Sequence, residues 1–208
     1  MKKLMLILMA MTLCLPSAMS QNKQIEKERA KVYKAKLKEF TKDGWKVYGT
    51  SRTLKLALLE HYDHLKSLGE NGYEIVGTAT KFRSQNIGHQ ACMNNAINNY
   101  AQQANSQVKA RITSDMSLDQ SSEAEFDRFY AAYERTLQTE VRGELQESFC
   151  IYRPIKGTDQ FEMQTFYVVN EEAALKARIR AMENALKESE AAQRYAEKVS
   201  DFVRDGFK

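Results

Sequence analysis

Residues 141–169 read VRGELQESFCIYRPIKGTDQFEMQTFYVV and predict a long β-hairpin. Its arms cover 141–155 and 160–169, on either side of a turn at 156–159. The second arm alternates between two faces with the two-residue period of a strand. Both arms carry apolar residues on both faces at their inner ends, so we expect helices to cover at least one face of the sheet.

A further strand is predicted upstream, where residues 73–82 read YEIVGTATKF. Its content of β-branched and aromatic residues is typical of a strand. Gly77 stands in its interior, which predicts either a bulge or a close approach by another stretch of backbone. The short segment 45–49 also alternates and predicts a brief strand.

Apolar residues recur at helical spacing in the remaining segments. The predicted helices cover 23–40, 51–68, a long stretch from Ser84 or Asn86 to about 112, 123–137 and 170–203, the last with a break near Ser189. Ser51 and Asn170 are predicted N-caps, and Gly69 ends the second helix. The order predicts an α+β fold with a small, mostly antiparallel sheet of about three to four strands packed against long amphipathic helices.

The first residues predict a cleavable signal peptide. Lys2 and Lys3 precede an apolar run over 4–15, and small residues follow before Ser20. A membrane span needs roughly 20 apolar residues, which this run and every later segment lack. We therefore expect cleavage after Ser20 and a product in the periplasm or outside the cell. The predicted divisions are a signal peptide (1–20), an N-terminal helix (21–43), an α+β core domain (44–170) and a C-terminal helix (171–208).

The charge pattern does not favour a nucleic-acid partner. The chain carries 31 basic and 27 acidic residues, a formal net charge of +4, and loss of Lys2 and Lys3 with the leader would halve that excess. The bases alternate with acids along predicted helices, which is typical of a solvated face. Neither a glycine-rich phosphate loop nor a G-x-S-x-G motif is present, so no cofactor is expected.

Two groups of residues that contain histidine are candidates for a site, and each has a simpler structural interpretation. His61 and His64 lie three apart with Glu60 and Asp63, and His89 is the remaining histidine; a half-buried structural role is favoured over a metal site. His89 and Cys92 are also three apart, but no orienting acid accompanies them, and a core cysteine is favoured over a nucleophile. No metal-binding or catalytic residue is assigned.

Cys92 and Cys150 are the cysteines that would remain after cleavage. In an oxidising compartment they could form a disulfide, or both could be small core residues, and the sequence leaves the two interpretations open.

Four aromatic residues follow one helical stripe: Phe126, Phe129, Tyr130 and Tyr133. Their period predicts core packing first. If their helix lay at the periphery, they would form a surface for a partner.

Three stretches resemble the LPP20 lipoprotein-like envelope proteins: YEIVGTATKF over 73–82, QACMNNAINNYAQQANSQVKARI over 90–112, and the hairpin segment 141–169. The likeness covers the central half of the mature chain. It implies a small sheet on a long helix in a bacterial envelope protein with no established enzymatic activity. The chain departs from the family in lacking a lipobox, and no catalytic residues are carried over.

The leading hypothesis is a non-catalytic exported protein that binds a protein or another component of the cell envelope through its helices or a sheet edge. One alternative is a metal-dependent or hydrolytic periplasmic enzyme that uses the histidines. The other is a self-associating protein whose first and last helices pair with further copies of the chain.

Overall fold

In the computed structural model, residues 15–116 and 120–205 are described, with side chains from 24 onward except at 120 and 121. The chain divides into two compact units, 1–45 and 46–208. The described part of the first unit is helix α1 (Leu15–Lys42) and a short turn, in which the Trp45 N–H donates to the Phe40 carbonyl at 3.0 Å. The predicted cleavage point after Ser20 falls within α1, and residues 1–14 of the predicted leader lie outside the described residues.

The second unit contains a four-stranded sheet and six α-helices among its described residues. In chain order these are β1 (Lys46–Val47), α2 (Leu54–Leu68), β2 (Gly72–Phe82), α3 (Gln85–Asp115), α4 (Gln120–Glu140), β3 (Gln146–Pro154), β4 (Phe161–Asn170), α5 (Glu171–Leu186), α6 (Glu190–Arg194) and α7 (Ala196–Arg204). Of the helices in the described part of the chain, none is both long enough and apolar enough to cross a bilayer.

The strands follow the order β1-β3-β4-β2, and every neighbouring pair is antiparallel. The predicted hairpin is β3 and β4, and it occupies the centre of the sheet. The first arm begins later than predicted because Val141–Gly143 forms a 3₁₀ turn that closes α4. The predicted α+β class with an antiparallel sheet is confirmed.

Helices cover both faces of the sheet. On one face, the His61 ring of α2 lies over Phe149 and Phe166, whose rings stack with centroids 4.4 Å apart. On the other face, α3 crosses β2 at Gly77. A Cβ atom at Gly77 would lie 1.9 Å from the Cys92 carbonyl oxygen, so only glycine permits this contact. The close backbone approach predicted at Gly77 is therefore what the structure shows.

The main core lies between the α3 face of the sheet and helices α4, α5, α6 and α7. The four aromatic residues of α4 belong to it: Phe126, Phe129, Tyr130 and Tyr133 are at most 7% exposed. They do not form a partner surface in this structure, because α5 and α3 pack over the stripe that carries them.

The start of α2 and the organisation of the C-terminal segment differ from the predictions. The N-cap of α2 is Thr53 and not Ser51, since the Thr53 hydroxyl accepts from the Leu56 N–H at 3.3 Å. The compact unit continues past residue 170, the predicted end of the core domain. The predicted break near Ser189 is confirmed, since the C-terminal segment consists of α5, α6 and α7. The first of these segments ends at Leu186, and Ser189 caps α6 by accepting from the Ala192 N–H at 3.0 Å. The Asn170 cap of α5 is confirmed.

Candidate ligand-binding groove at the edge of the sheet

An open groove of about 830 Å³ lies between β2 and α3. This volume is within the roughly 300–1,000 Å³ of ordinary ligand sites. Four lining residues come from β2, three from α3 and three from the turn before β2 and the start of α5. They are Tyr73, Glu74, Ile75 and Val76 of β2, Asn99, Tyr100 and Gln103 of α3, Glu70 and Asn71 of the turn, and Glu171 of α5. We call it the β2–α3 groove.

The strand wall of the groove is an edge that no other described strand covers. β2 pairs with β4 on one side and with no described strand on the other. The Thr78 N–H points outward and donates to the Asn95 side-chain oxygen at 3.0 Å. Alternate residues of a strand direct their backbone groups to the same edge, so Glu74 and Val76 also point outward. Among the described residues, nothing bonds to their outward backbone groups.

The helix wall carries a row of amide side chains. Asn95, Asn99 and Gln103 are spaced by four residues along α3, which places them on one face of the helix. The Asn99 amide donates to the Asn95 side-chain oxygen at 3.3 Å. Asn99 and Gln103 are exposed to solvent and offer both donors and acceptors to a ligand.

Tyr73, Tyr100 and Glu171 form what we call the floor of the groove, and a buried charge pair supports it. Arg178 of α5 is 2% exposed and donates to both carboxylate oxygens of Glu171 and to the Tyr100 hydroxyl, the latter at 2.7 Å. Burial lowers the pKa of Arg178, but the bonds to Glu171 and Tyr100 outweigh it and raise that pKa above its ordinary value. Burial raises the pKa of both Tyr73 and Tyr100, so the two floor tyrosines are neutral at physiological pH.

The groove is acidic. Glu70, Glu74 and Glu171 line it, and no lysine or arginine is among its described lining residues. Glu74 accepts a hydrogen bond from the buried His61 Nε2 at 2.6 Å. Glu70 is exposed and has no ion-pair partner in the described part of the chain. Glu171 is paired with Arg178, so Glu70 and Glu74 provide the available negative charge. Together with the open backbone groups, this charge suits the binding of a cationic ligand.

The structure does not bring the predicted histidines together. His61 lies on the α2 face of the sheet, whereas the His89 Nε2 lies 2.7 Å from Glu147 on the α3 face. His64 is one turn beyond His61 on α2. Over residues 15–116 and 120–205, no three His, Cys, Asp or Glu side chains are grouped to hold a metal ion.

Cys92 and Cys150 are free, buried thiols in one apolar cluster with Phe82 and Met163. Thr165 lies beside them, and its hydroxyl donates to the Cys150 sulfur at 3.1 Å. Burial raises the pKa of both thiols, that of Cys150 to about 12, so little nucleophilic thiolate is present. The core interpretation describes this arrangement, and the disulfide stays a prediction.

The sequence predicts a sheet edge as a possible binding surface but does not identify the residues that form it. One pattern could have pointed to them: the amides at 95, 99 and 103 share a helix face that would otherwise be expected to carry charge.

Comparison with known proteins adds no further assignment. No protein-family model, curated protein or solved structure matches this chain. The resemblance to the LPP20 lipoprotein-like proteins therefore stays a prediction.

Proposed function

We propose that this chain is a non-catalytic exported protein that binds another envelope component in the β2–α3 groove. The observation that carries the proposal is the open outer edge of β2 at Glu74 and Val76, beside a groove of about 830 Å³. Long uncovered strand edges are hazardous for a protein, and they persist where they have a use.

The side chains of the lining suit the recognition of a ligand through hydrogen bonds and charge. They are glutamates, amides, two aliphatic groups and two tyrosines whose pKa is raised by burial. This set provides hydrogen bonds and charge.

The proposed location rests on the sequence of residues 1–20. If the leader is removed as proposed, the protein recovered from the cell envelope begins at Gln21. Fractionation followed by N-terminal sequencing tests this. Full-length protein in the cytosol would contradict the export part of the proposal and leave the groove untouched.

Site-specific photo-crosslinking tests the groove itself. A photoreactive amino acid replaces Gln103 in the wall of the groove, and the matched control replaces Gln102, which is also exposed. The control points about 100° away around the helix axis. We expect an envelope component, identified by mass spectrometry, to crosslink at Gln103 and not at Gln102. Equal products from both positions, or none, would contradict the proposal.

One observation favours the self-association hypothesis as a second candidate. Ile25 and Val32 of α1 are 45% and 49% exposed, and their spacing of seven puts them on one face of that helix. Sedimentation over a range of concentrations tests it. A monomer at every concentration would exclude pairing through α1.

A further inference from the structure

We propose that the occupant of the β2–α3 groove is a basic, extended peptide segment of a partner protein, which adds to β2 as a fifth strand. The inference rests on the proposed binding function and deepens it by naming the class of ligand. Strand addition is a recurrent way for proteins to recognise peptides, because main-chain hydrogen bonds provide affinity and alternate side chains provide specificity.

The backbone of β2 sets the length of the bound segment. Glu74 and Val76 each present one N–H and one C=O outward, and they are separated by one residue, about 7 Å along the strand. Pairing stops at Thr78, because Asn95 already accepts from its N–H. Beyond it the strand is irregular between Ala79 and Phe82. The site therefore accommodates about four or five residues of a partner.

The amides of α3 would satisfy the other edge of the bound strand. An added strand has its own unpaired backbone groups on the side away from β2. Asn99 and Gln103 line that side of the groove, and an amide can both donate and accept. A peptide in the groove would consequently be hydrogen-bonded on both edges, and strand addition would end after one segment instead of continuing to further strands.

The charge of the groove identifies the chemistry of the peptide. Glu171 is already paired with Arg178, so the negative charge offered to a ligand comes from Glu70 and Glu74. The Glu74 carboxylate lies on the α2 face of the sheet, where a lysine or arginine opposite it on the added strand would lie beside it. Tyr73 and Ile75 lie on the opposite face of β2 and are partly exposed, so apolar side chains at the intervening positions of the peptide would pack beside them. A second copy of β2 would bring like charges into the same groove, which disfavours pairing of two copies through this edge.

A direct binding measurement with the full chain tests the inference. The probe is a fluorescent Lys-Val-Lys-Val-Lys peptide, followed by anisotropy at low salt. Its first control has the same side chains but N-methyl groups at alternate backbone nitrogens, which removes strand hydrogen bonds and keeps the charge. We expect the N-methylated peptide to bind about ten-fold more weakly or worse. The Glu-Val-Glu-Val-Glu peptide is expected not to bind.

A variant of the protein tests the same hydrogen bonds by changing β2 instead of the peptide. Val76→Pro removes an outward N–H without removing a bond to β4, whereas Val76→Thr keeps the N–H and a β-branched side chain. Circular dichroism first establishes that both variants are folded. We expect Val76→Pro to bind the peptide about ten-fold more weakly and Val76→Thr to bind it like the unmodified chain. If Val76→Pro does not fold, the N-methylated peptide alone decides.

Three results would overturn the inference. These are equal binding of the methylated and unmethylated peptides, equal binding by Val76→Pro and Val76→Thr, and displacement of the peptide by spermine at equal charge concentration. The last result would assign the groove to small polyamines instead of a polypeptide. If a partner crosslinks at Gln103 but the peptide does not bind, strand addition is contradicted and the proposed function is not.

Discussion

The sheet ends on one side in β1, which has two residues, and on the other in β2, which has eleven. Proteins keep edge strands short, irregular or charged, because open backbone groups invite pairing with other chains. β1 follows this rule by its length alone. β2 follows it over only part of its length.

The closed part of β2 lies toward its C-terminal end. There the Asn95 side-chain oxygen accepts a hydrogen bond from the Thr78 N–H, the register shifts after Ala79, and Lys81 adopts a positive φ of 60°. The open part contains Glu74 and Val76 and faces the β2–α3 groove. The strand edge is therefore protected from pairing up to the point where the groove begins. This is the arrangement that a binding function of the open segment requires.

The largest effect is expected from separating α3 from β2. Gly77→Val would place side-chain atoms where the Cys92 carbonyl now lies, and we expect it to lower the free energy of unfolding by about 3 kcal/mol or more. Urea denaturation measures this. Gly143→Ala is the control, since a Cβ there meets nothing within 4 Å. A Gly77→Val protein as stable as that control would contradict the close contact that forms the groove.

A smaller effect is expected from removing the support of the groove floor. Arg178→Met leaves the Glu171 carboxylate partly buried without its partner, and we expect a loss of about 2–3 kcal/mol. Lys176→Met on the same helix breaks an exposed pair with Glu172 that solvent screens, so it should leave the free energy of unfolding nearly unchanged. Thermal or urea unfolding of both variants separates the two cases. Equal losses would show that the buried pair does not stabilise the floor.

Alkaline pH should weaken the β2 side of the sheet. Burial raises the folded-state pKa of Tyr73 and Tyr100 above their ordinary value of 10.0, so folding favours their protonated forms. That stability is fully present below about pH 10 and is lost as the pH rises further toward the folded-state values. We expect unfolding measured by urea to become easier above pH 10, and Tyr73→Phe to show a flatter decline. An identical decline in both proteins would be the contrary result.

The smallest effect is expected at the boundary between the two parts of β2. Asn95→Ala leaves the exposed Thr78 N–H without its side-chain acceptor, at a cost of about 0.5–1 kcal/mol. Amide hydrogen exchange at Thr78 should accelerate, while Asn98→Ala, an exposed change on the same helix, should leave it unaltered. Unchanged exchange at Thr78 in the first variant would mean that Asn95 does not close this part of the edge.

Local features of the fold could be predicted from the sequence. The hairpin follows from its alternation, the contact at Gly77 from a glycine inside a strand, and the α5 cap from Asn170. Each depends on residues close together in the chain.

Features that depend on tertiary contacts could not be predicted in this way. Ser51 and Thr53 are equally good caps by residue type, but Arg52 bonds to the Ser148 carbonyl at 3.1 Å and to Glu60 at 2.6 Å, which ties this segment to β3 ahead of the helix. The groove depends on the strand order, which places β2 at the edge, and no local pattern encodes that order.

The most direct test of strand addition at the open part of β2 is amide hydrogen exchange at Glu74, Val76 and Thr78, with and without the Lys-Val-Lys-Val-Lys peptide. In the free protein we expect rapid exchange at Glu74 and Val76 and slow exchange at Thr78, whose N–H is bonded to Asn95. The peptide should slow exchange at Glu74 and Val76 and leave Thr78 as it was. Protection of Glu74 and Val76 in the free protein, or no protection in the presence of bound peptide, would contradict the account.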